Sequence, residues 1–568
     1  MTTAWALALG GALMARALGA DSSFVAADSK GHLIYQRDSR GNAVPDFSAV
    51  GYRDGAAPIP RAETRVELAT TASGDDGARI QAALEKVSRM PRGSLGPRGA
   101  VSLRRGVYRV AGQLTIPDGV VLRGEGPDAN GTVIVATGTK VRDLLVIGGG
   151  TAAAEIRDSR QRITDAYVPV GARTFRIAAA NTFHPGDAVV VYRPATAAWI
   201  HALGMDQIVP ASDGKTRQWS PGEYGLSFER TLTAVDGASV TVDAPVVMAM
   251  EDAFGAGFIY KTENDERPRE AGVEALRLLS AYQAGKETQD EDHAKNAIAI
   301  SSARDCWVKD VTALYFIYAC VSVGNNARSI TIQDSAMIDP VSKIAGARRY
   351  SFSAQGSGQR ILFQRCYARN GRHSFVTGQK TVGPTVFVDC LSESSLSDIG
   401  PHHRWSVGQL YDNVVARHLT FRPDSNPSAS PAGPTKRLYG DGGICVQDRG
   451  NSGTGHGWSG ANQMFWNCDA DFIISQQPPT AQNWCVGAVG RKEQGLWLLR
   501  PDGLWDSPGH PVLPRSLFQA QLQDRLGQAA LAATTTAEQR AGTITSLLQR
   551  RFGGEKPYPA AKPADQGP

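Results

Sequence analysis

The sequence predicts an all-β fold, a parallel β-helix with an N-terminal capping helix and a β-rich insertion. Three observations carry this. Strand-like runs recur in the second half: CWVKDV (306–311), ITIQDS (330–335), LFQRC (362–366), VFVDC (386–390), LYDNV (410–414) and MFWNC (464–468). Their last residues are Val311, Ser335, Cys366, Cys390, Val414 and Cys468, and three of the successive intervals are 24 residues. One coil takes about this length, because each short strand must stack on its counterpart one coil earlier. Position-specific character is the second observation. Val308, Ile332, Phe363, Phe387, Tyr411 and Phe465 form an apolar series suited to a core ladder, while Asp310, Asp334, Arg365, Asp389, Asn413 and Asn467 form a polar series suited to a turn or an outward face. Third, 61 glycines and 31 prolines imply many tight turns and argue against a helical bundle.

Taken in order, residues 1–20 read as a signal peptide, since an apolar stretch ends in small residues at Leu18-Gly19-Ala20. A basic n-region is missing and Arg16 interrupts the run, so a disordered tail or mis-assigned start is the alternative. Residues 21–164 hold the N-terminal cap and first coils. DFSAVGYRDG (46–55) reads as a β-turn, and Asp75-Asp76-Gly77 precede a helix with Ile80, Ala83, Leu84 and Val87 on one face. Alternation in 99–126 marks short strands at Val101 and Leu103, Tyr108 and Val110, Leu114 and Ile116, and Val120 and Leu122. Residues 165–260 read as a β-rich insertion with hairpin turns at Pro185-Gly186-Asp187 and Asp236-Gly237, able to wall one side of a groove. The main helix and its groove occupy 261–514. A C-terminal helix begins near 515, and EKPYPAAKPADQGP reads as disordered.

The helix followed by GVYRVAGQLTIPDGVVLRGEG (106–126) resembles the pectate-lyase superfamily. The resemblance implies a right-handed helix whose first coil is capped by that helix, and a groove that handles polysaccharide. It speaks to fold far more than to reaction.

Composition narrows the partners. With 42% hydrophobic and 20% charged residues the chain is ordinary for a soluble protein. A formal charge of +5 does not by itself suggest nucleic acid, but permits a local basic groove. After the N-terminus no run of 18 apolar residues occurs, so no membrane span is expected. The expected setting is secreted or periplasmic, and the expected state a monomer. The seven cysteines form no CxxC pair and read as buried thiols, with one disulfide left open.

A second ladder carries the chemistry. Aligned on serine, ARRYSF (347–352), NGRHSF (370–375), HHRWSV (402–407) and GHGWSG (455–460) place Arg349, Arg372 and Arg404 in one row and Tyr350, His373, Trp405 and Trp458 in the next. Arginines at adjacent coils would stand about 4.8 Å apart and repel unless acidic groups or an anionic ligand lie between them. Uronate or sulfated sugars fit, since a guanidinium binds carboxylate through two parallel hydrogen bonds. The same side chains can instead pair with neighbouring Asp and Glu, or stack structurally. Histidines at or beside this ladder, His373, His402, His403 and His456, favour function, being four of ten in the chain.

The expected reaction is β-elimination on an acidic polysaccharide. Arg349, Arg372 and Arg404 would neutralise the carboxylate, one of His373, His402 and His403 would remove the C5 proton, and Tyr350 would protonate the leaving oxygen. His402, His403, Arg404, His373, Arg372 and Tyr350 are thus the catalytic candidates. Arg349, Trp405, His456, Trp458, Asn462 and Lys380 are the substrate-binding ones, with Lys380 a fallback base. No metal or cofactor is expected, no dense Asp cluster being present, although Ca²⁺ bridging a carboxylate stays open. Two alternatives remain. A glycoside hydrolase would need an Asp pair from Asp389, Asp398, Asp412, Asp441 and Asp448, with Asp398 and Asp441 best placed. A non-catalytic binder would need no histidine cluster.

Overall fold

The computed structural model describes residues 20–71, 73–94, 96–417, 442–495 and 497–555. The leader reading and the Pro-rich tail, like Asp441, fall outside the described residues, save Ala20 and Glu555. The chain winds as a right-handed parallel β-helix, its strands lying on three faces. One face runs from Leu114–Ile116 through Arg142–Gly148, Ala294–Ser301, Ala319–Val323, Phe352–Ala354 and Phe375–Thr377 to Gly400–Pro401. It carries the candidate site and is called the site face.

The core ladder has the expected register. Val308 pairs Ile332, which pairs Phe363, then Phe387, Tyr411 and Phe465 in turn. Rings in successive coils stack, with centroids 4.6 Å apart for Phe363 and Phe387 and 4.9 Å for Phe387 and Tyr411. The polar series is the turn that follows. Asp310, Asp334, Arg365, Asp389, Asn413 and Asn467 all have φ between 49° and 59°. Asp and Asn tolerate this left-handed region best, which explains the series. Arg365 is the exception, and its Nε donates to Asp334 one coil earlier at 2.6 Å.

The helix Gly77–Ser88 buries Ile80, Ala83, Leu84 and Val87 in the same apolar cluster as the coils. Strands Gly99–Leu103, Gly106–Val110, Leu114–Ile116 and Val120–Arg123 occupy the four predicted places. All seven cysteines are buried and free. Among the described residues no helix is long and apolar enough to cross a membrane.

The insertion is an antiparallel sheet whose strands run from Ala154–Glu155 to Phe258–Glu263, wider than 165–260 at both ends. Short polar strands at Ala154–Glu155 and Gln161–Arg162 lack the alternation that would have marked them. A backbone hydrogen bond from Glu266 to Thr151 closes its neck. Its core merges with the coils: Trp199, Trp219 and Leu226 share one cluster with Val382, Trp405, Val407 and Trp458.

Another flank is covered by segments near the start and the end of the described residues. Ala20–Asp21 pairs with Val512–Leu513, and Phe47 packs with Leu517, Phe518 and Leu522 of the helix Leu517–Thr534 against Val388, Leu410 and Trp466. Asp412 accepts from the Ser516 hydroxyl at 2.6 Å and from Phe518 N–H at 2.8 Å, so it anchors the helix start. Burial pushes its carboxyl up to about 7. Asp389 is paired with Arg515 at 2.9 Å on the same flank. Both aspartates are therefore anchors for the C-terminal helix, which corrects their place among hydrolase candidates.

Candidate active site

The site lies where the site face ends. Phe352 pairs with Phe375, so Tyr350 and His373 are register neighbours, as are Arg349 and Arg372. Beyond that the serine alignment fails. Val376 pairs Gly400 and Thr377 pairs Pro401, which brings Asp398 beneath Ser374 and leaves His402 beyond the strand end. Ser406 starts a strand on the next face and pairs with Gly460, so Ser406 and Ser459 are offset by one. The physical reason is the connection: Gly400–Pro401 is a two-residue strand, and the four residues after it turn the corner. Arg404 and Trp405 there have φ of 42° and 59°.

Four imidazoles nevertheless converge. His402 is the centre, with ring centroids 4.3 Å from His373, 5.2 Å from both His403 and His456, and 5.6 Å from Tyr350. His403 and His456 are 4.8 Å apart, and Tyr350 and His373 4.9 Å. His373 and His402 form a buried floor with Tyr350, while His403, His456, Arg372 and Arg404 are half-buried at the rim. The Nδ1 atoms of His402, His403 and His456 and the Nε2 of His373 are buried without a hydrogen-bond partner. Groups of this kind need a water or a ligand to satisfy them.

Electrostatics keep these rings neutral. Burial first, then the charge of Arg372, lowers His373 to about 3. Burial and Arg404 lower His403 to about 4. His402 and His456 also fall well below the ordinary value, through burial and through their histidine neighbours. His373 donates from Nδ1 to the Asp398 carbonyl at 2.6 Å, which fixes the tautomer and leaves Nε2 as the basic nitrogen. Burial pushes Asp398 up, but Arg449, 2.9 Å from its Oδ2, and His373 outweigh this and hold it at about 2. Burial raises the Tyr350 phenol above its ordinary value.

The cations differ in what they do. Arg372 contacts the Tyr350 hydroxyl at 3.5 Å and makes no ion pair among the described residues, although its charge helps to lower Asp398. Arg404 donates from Nε to Gly455 O at 3.1 Å and from Nη2 to Thr454 O at 2.7 Å. It thereby fixes the glycine loop that carries His456. The insertion supports this loop from the other side: Arg217 N–H donates to Thr454 O, and a Cβ on Gly455 or Gly457 would strike the Arg217 carbonyl or Met205 Sδ. Lys380 is half-buried and sits beside Arg404, to whose carbonyl its N–H donates at 3.1 Å.

Four predicted binding residues have other work. Arg349 is buried and donates to the carbonyls of Ser342 and Glu287, tying two loops together. Asn462 is buried and bridges Val247 O and Gln482 N–H. Trp405 and Trp458 are 0% and 1% exposed. Trp405 packs 5.0 Å from Trp199 of the insertion. No flat face of either ring is open to a sugar, because the insertion covers them. His293, bonded to Ser280 at 2.8 Å and to Val341 O, belongs to the loop packing.

Arg449 was not among the sequence candidates. Its signal lay in RGNSGTGHGW (449–458), whose ends pair: Arg449 N–H donates to Gly457 O at 2.8 Å and Gly457 N–H to Gly450 O at 2.9 Å. Reading that stretch as one closed loop would have placed Arg449 beside His456. Among the described residues no group of three His, Cys, Asp or Glu side chains is arranged to hold a metal ion.

No family matches the sequence, and no curated protein matches it. Solved structures do. The tailspike gp49 of Pseudomonas phage LKA1 is 13% identical with a TM-score of 0.38, covering 73% of this chain and 56% of its own. A polygalacturonase from Erwinia carotovora ssp. carotovora is 11% identical with a TM-score of 0.32, covering 79% and 96%. The A-module of the Azotobacter vinelandii mannuronan C-5 epimerase AlgE4 is 11% identical with a TM-score of 0.28, covering 76% and 95%. The likeness is one of fold. This chain spans little more than half of that tailspike.

Proposed function

We propose that the chain cleaves an acidic, uronate-containing polysaccharide by β-elimination. The observation that carries this is the set of neutral imidazoles around Tyr350 beside Arg372, a cation that makes no ion pair among the described residues. Arg372 neutralises the uronate carboxylate and so acidifies the C5 proton. His402 takes that proton. The C5–H electron pair becomes the C4=C5 double bond, the C4–O4 bond breaks, and Tyr350 gives its phenolic proton to O4. The proton on His402 then returns to the Tyr350 oxygen, the two rings being neighbours. A bound carboxylate also raises the basicity of His402, which the apo environment depresses.

The arrangement supports a hydrolase less well. Asp398 is held ionised by Arg449 and cannot serve as the acid, and Asp448 is paired with Arg500 at 2.7 Å. A pure binder has no use for four neutral histidines. The test is ultraviolet absorbance during incubation with alginate, pectate, glycosaminoglycans and bacterial exopolysaccharides. An unsaturated product absorbs, whereas hydrolysis or binding yields none. His402→Ala and Arg372→Ala each reduce the rate by about 10²–10⁴-fold with unchanged folding. Reducing ends without absorbance would replace elimination by hydrolysis.

A further inference from the structure

We propose that His373 is the proton relay of this site, carrying the proton from His402 back to Tyr350, with Asp398 and Arg449 as its positioning pair. This rests on the β-elimination reading above, in which each cleavage leaves His402 protonated and Tyr350 ionised. His373 takes no part in the cleavage itself. It is nevertheless the most deeply buried of the four imidazoles, and it stands between the two groups that must be reset. Its ring centroid is 4.3 Å from His402 and 4.9 Å from Tyr350, each closer than the 5.6 Å between those two rings. His373 Nδ1 donates to the Asp398 carbonyl, so its Nε2 is bare, and that atom is buried without a partner. His402 Nδ1 is buried without a partner as well. Once protonated, His402 carries a proton on both ring nitrogens and can supply one, directly or through one water.

In the relay, a His402 N–H bond breaks as the His373 Nε2–H bond forms. That bond then breaks as the Tyr350 O–H bond forms. His373 begins and ends neutral, and the sum converts imidazolium and phenolate into imidazole and phenol. The surroundings suit a ring that passes a proton on without keeping it. Asp398 Oδ1 lies 3.6 Å from Nδ1, so a carboxylate faces the imidazolium while it exists. Burial, Arg372 and Arg449 act against the same charge, so the proton does not stay. Tyr350 and His402 are the other titratable groups beside the ring. Arg449 pairs with Asp398 Oδ2 at 2.9 Å, and its backbone N–H donates to Gly457 O at 2.8 Å. The support of His373 is thereby tied to the loop that carries His456.

The test is stopped-flow ultraviolet absorbance of the parent, His373→Asn and Asp398→Asn with alginate, pectate, glycosaminoglycans and bacterial exopolysaccharides. His373→Asn keeps a donor for the Asp398 carbonyl. It starts with His402 neutral and Tyr350 protonated, so its first cleavage runs at the parental rate and later ones wait for the reset. The expected record is a burst of one double bond per enzyme, then a steady rate about 10²-fold below the parent's. Asp398→Asn keeps the main-chain carbonyl and removes only the counter-charge, and it gives the same burst with a smaller slowing. A merely structural role would slow first and later cleavages alike. That outcome in both variants overturns the relay. So does a parental steady rate in His373→Asn, which would send the proton out through His403 and His456. A parent that yields no absorbance on any of these polymers overturns the reading of the site itself, and the relay with it.

Discussion

His373 makes acid sensitivity a quantitative test of the buried cluster. The ring is fully buried and faces Arg372, Asp398, Tyr350, His402 and Arg449, and its folded-state value of about 3 compares with an ordinary 6.5. A histidine depressed in this way binds its proton in the unfolded chain first. Below pH 6.5 the unfolded state gains a proton that the folded state refuses, so stability falls with pH, by about 1.4 kcal/mol per unit. Between pH 6.5 and 5 this amounts to about 2 kcal/mol. Asp412 acts with the opposite sign. Its folded value of about 7 lies above the ordinary 3.8, so the folded chain takes up a proton there as pH falls toward 4, and gains stability. The absolute change between pH 7 and pH 5 mixes the two, and a variant separates them. His373→Asn keeps a donor for the Asp398 carbonyl and removes the titration. Urea denaturation of both proteins at pH 7 and pH 5 reads the result. The parent loses about 2 kcal/mol more than the variant across this interval, while any pH-independent packing cost cancels. Equal losses in the two proteins would refute the claim that His373 is buried neutral.

Arg449→Met leaves Asp398 buried and unpaired, and lowers stability by about 3–5 kcal/mol at pH 7 in thermal melts referenced to the same chain. Asp412→Asn raises stability by about 1–3 kcal/mol at pH 8, where the parent carboxyl is ionised against its burial, and changes little at pH 5. Denaturant midpoints at the two pH values check both signs. Trp405→Ala removes a ring wedged between the coils and Trp199, costs about 3–5 kcal/mol, and makes the insertion the first segment cut in limited proteolysis.

Much of the fold was legible because strand stacking repeats in the sequence what it repeats in space. Phe363, Phe387 and Tyr411 recur at one-coil spacing and sit over one another, and the Asp and Asn positions after them are the left-handed turns that such residues tolerate. The histidines converge as the spacing suggested. Their route to convergence was not legible: a two-residue strand at Gly400–Pro401 turns the chain to another face, so His402 meets His373 across a corner and not along a ladder.

Pattern alone determined the coil repeat, the core ladder and the turn positions, since each follows from local periodicity. Only the tertiary structure decided which side chains stay open to a ligand. Burial is set by segments far away in the chain, such as the insertion that seals Trp405 and Trp458, the loops that engage Arg349, and the C-terminal helix anchored by Asp389 and Asp412. Two arginines of one ladder thus part company, Arg349 toward buried carbonyls and Arg372 toward the Tyr350 hydroxyl.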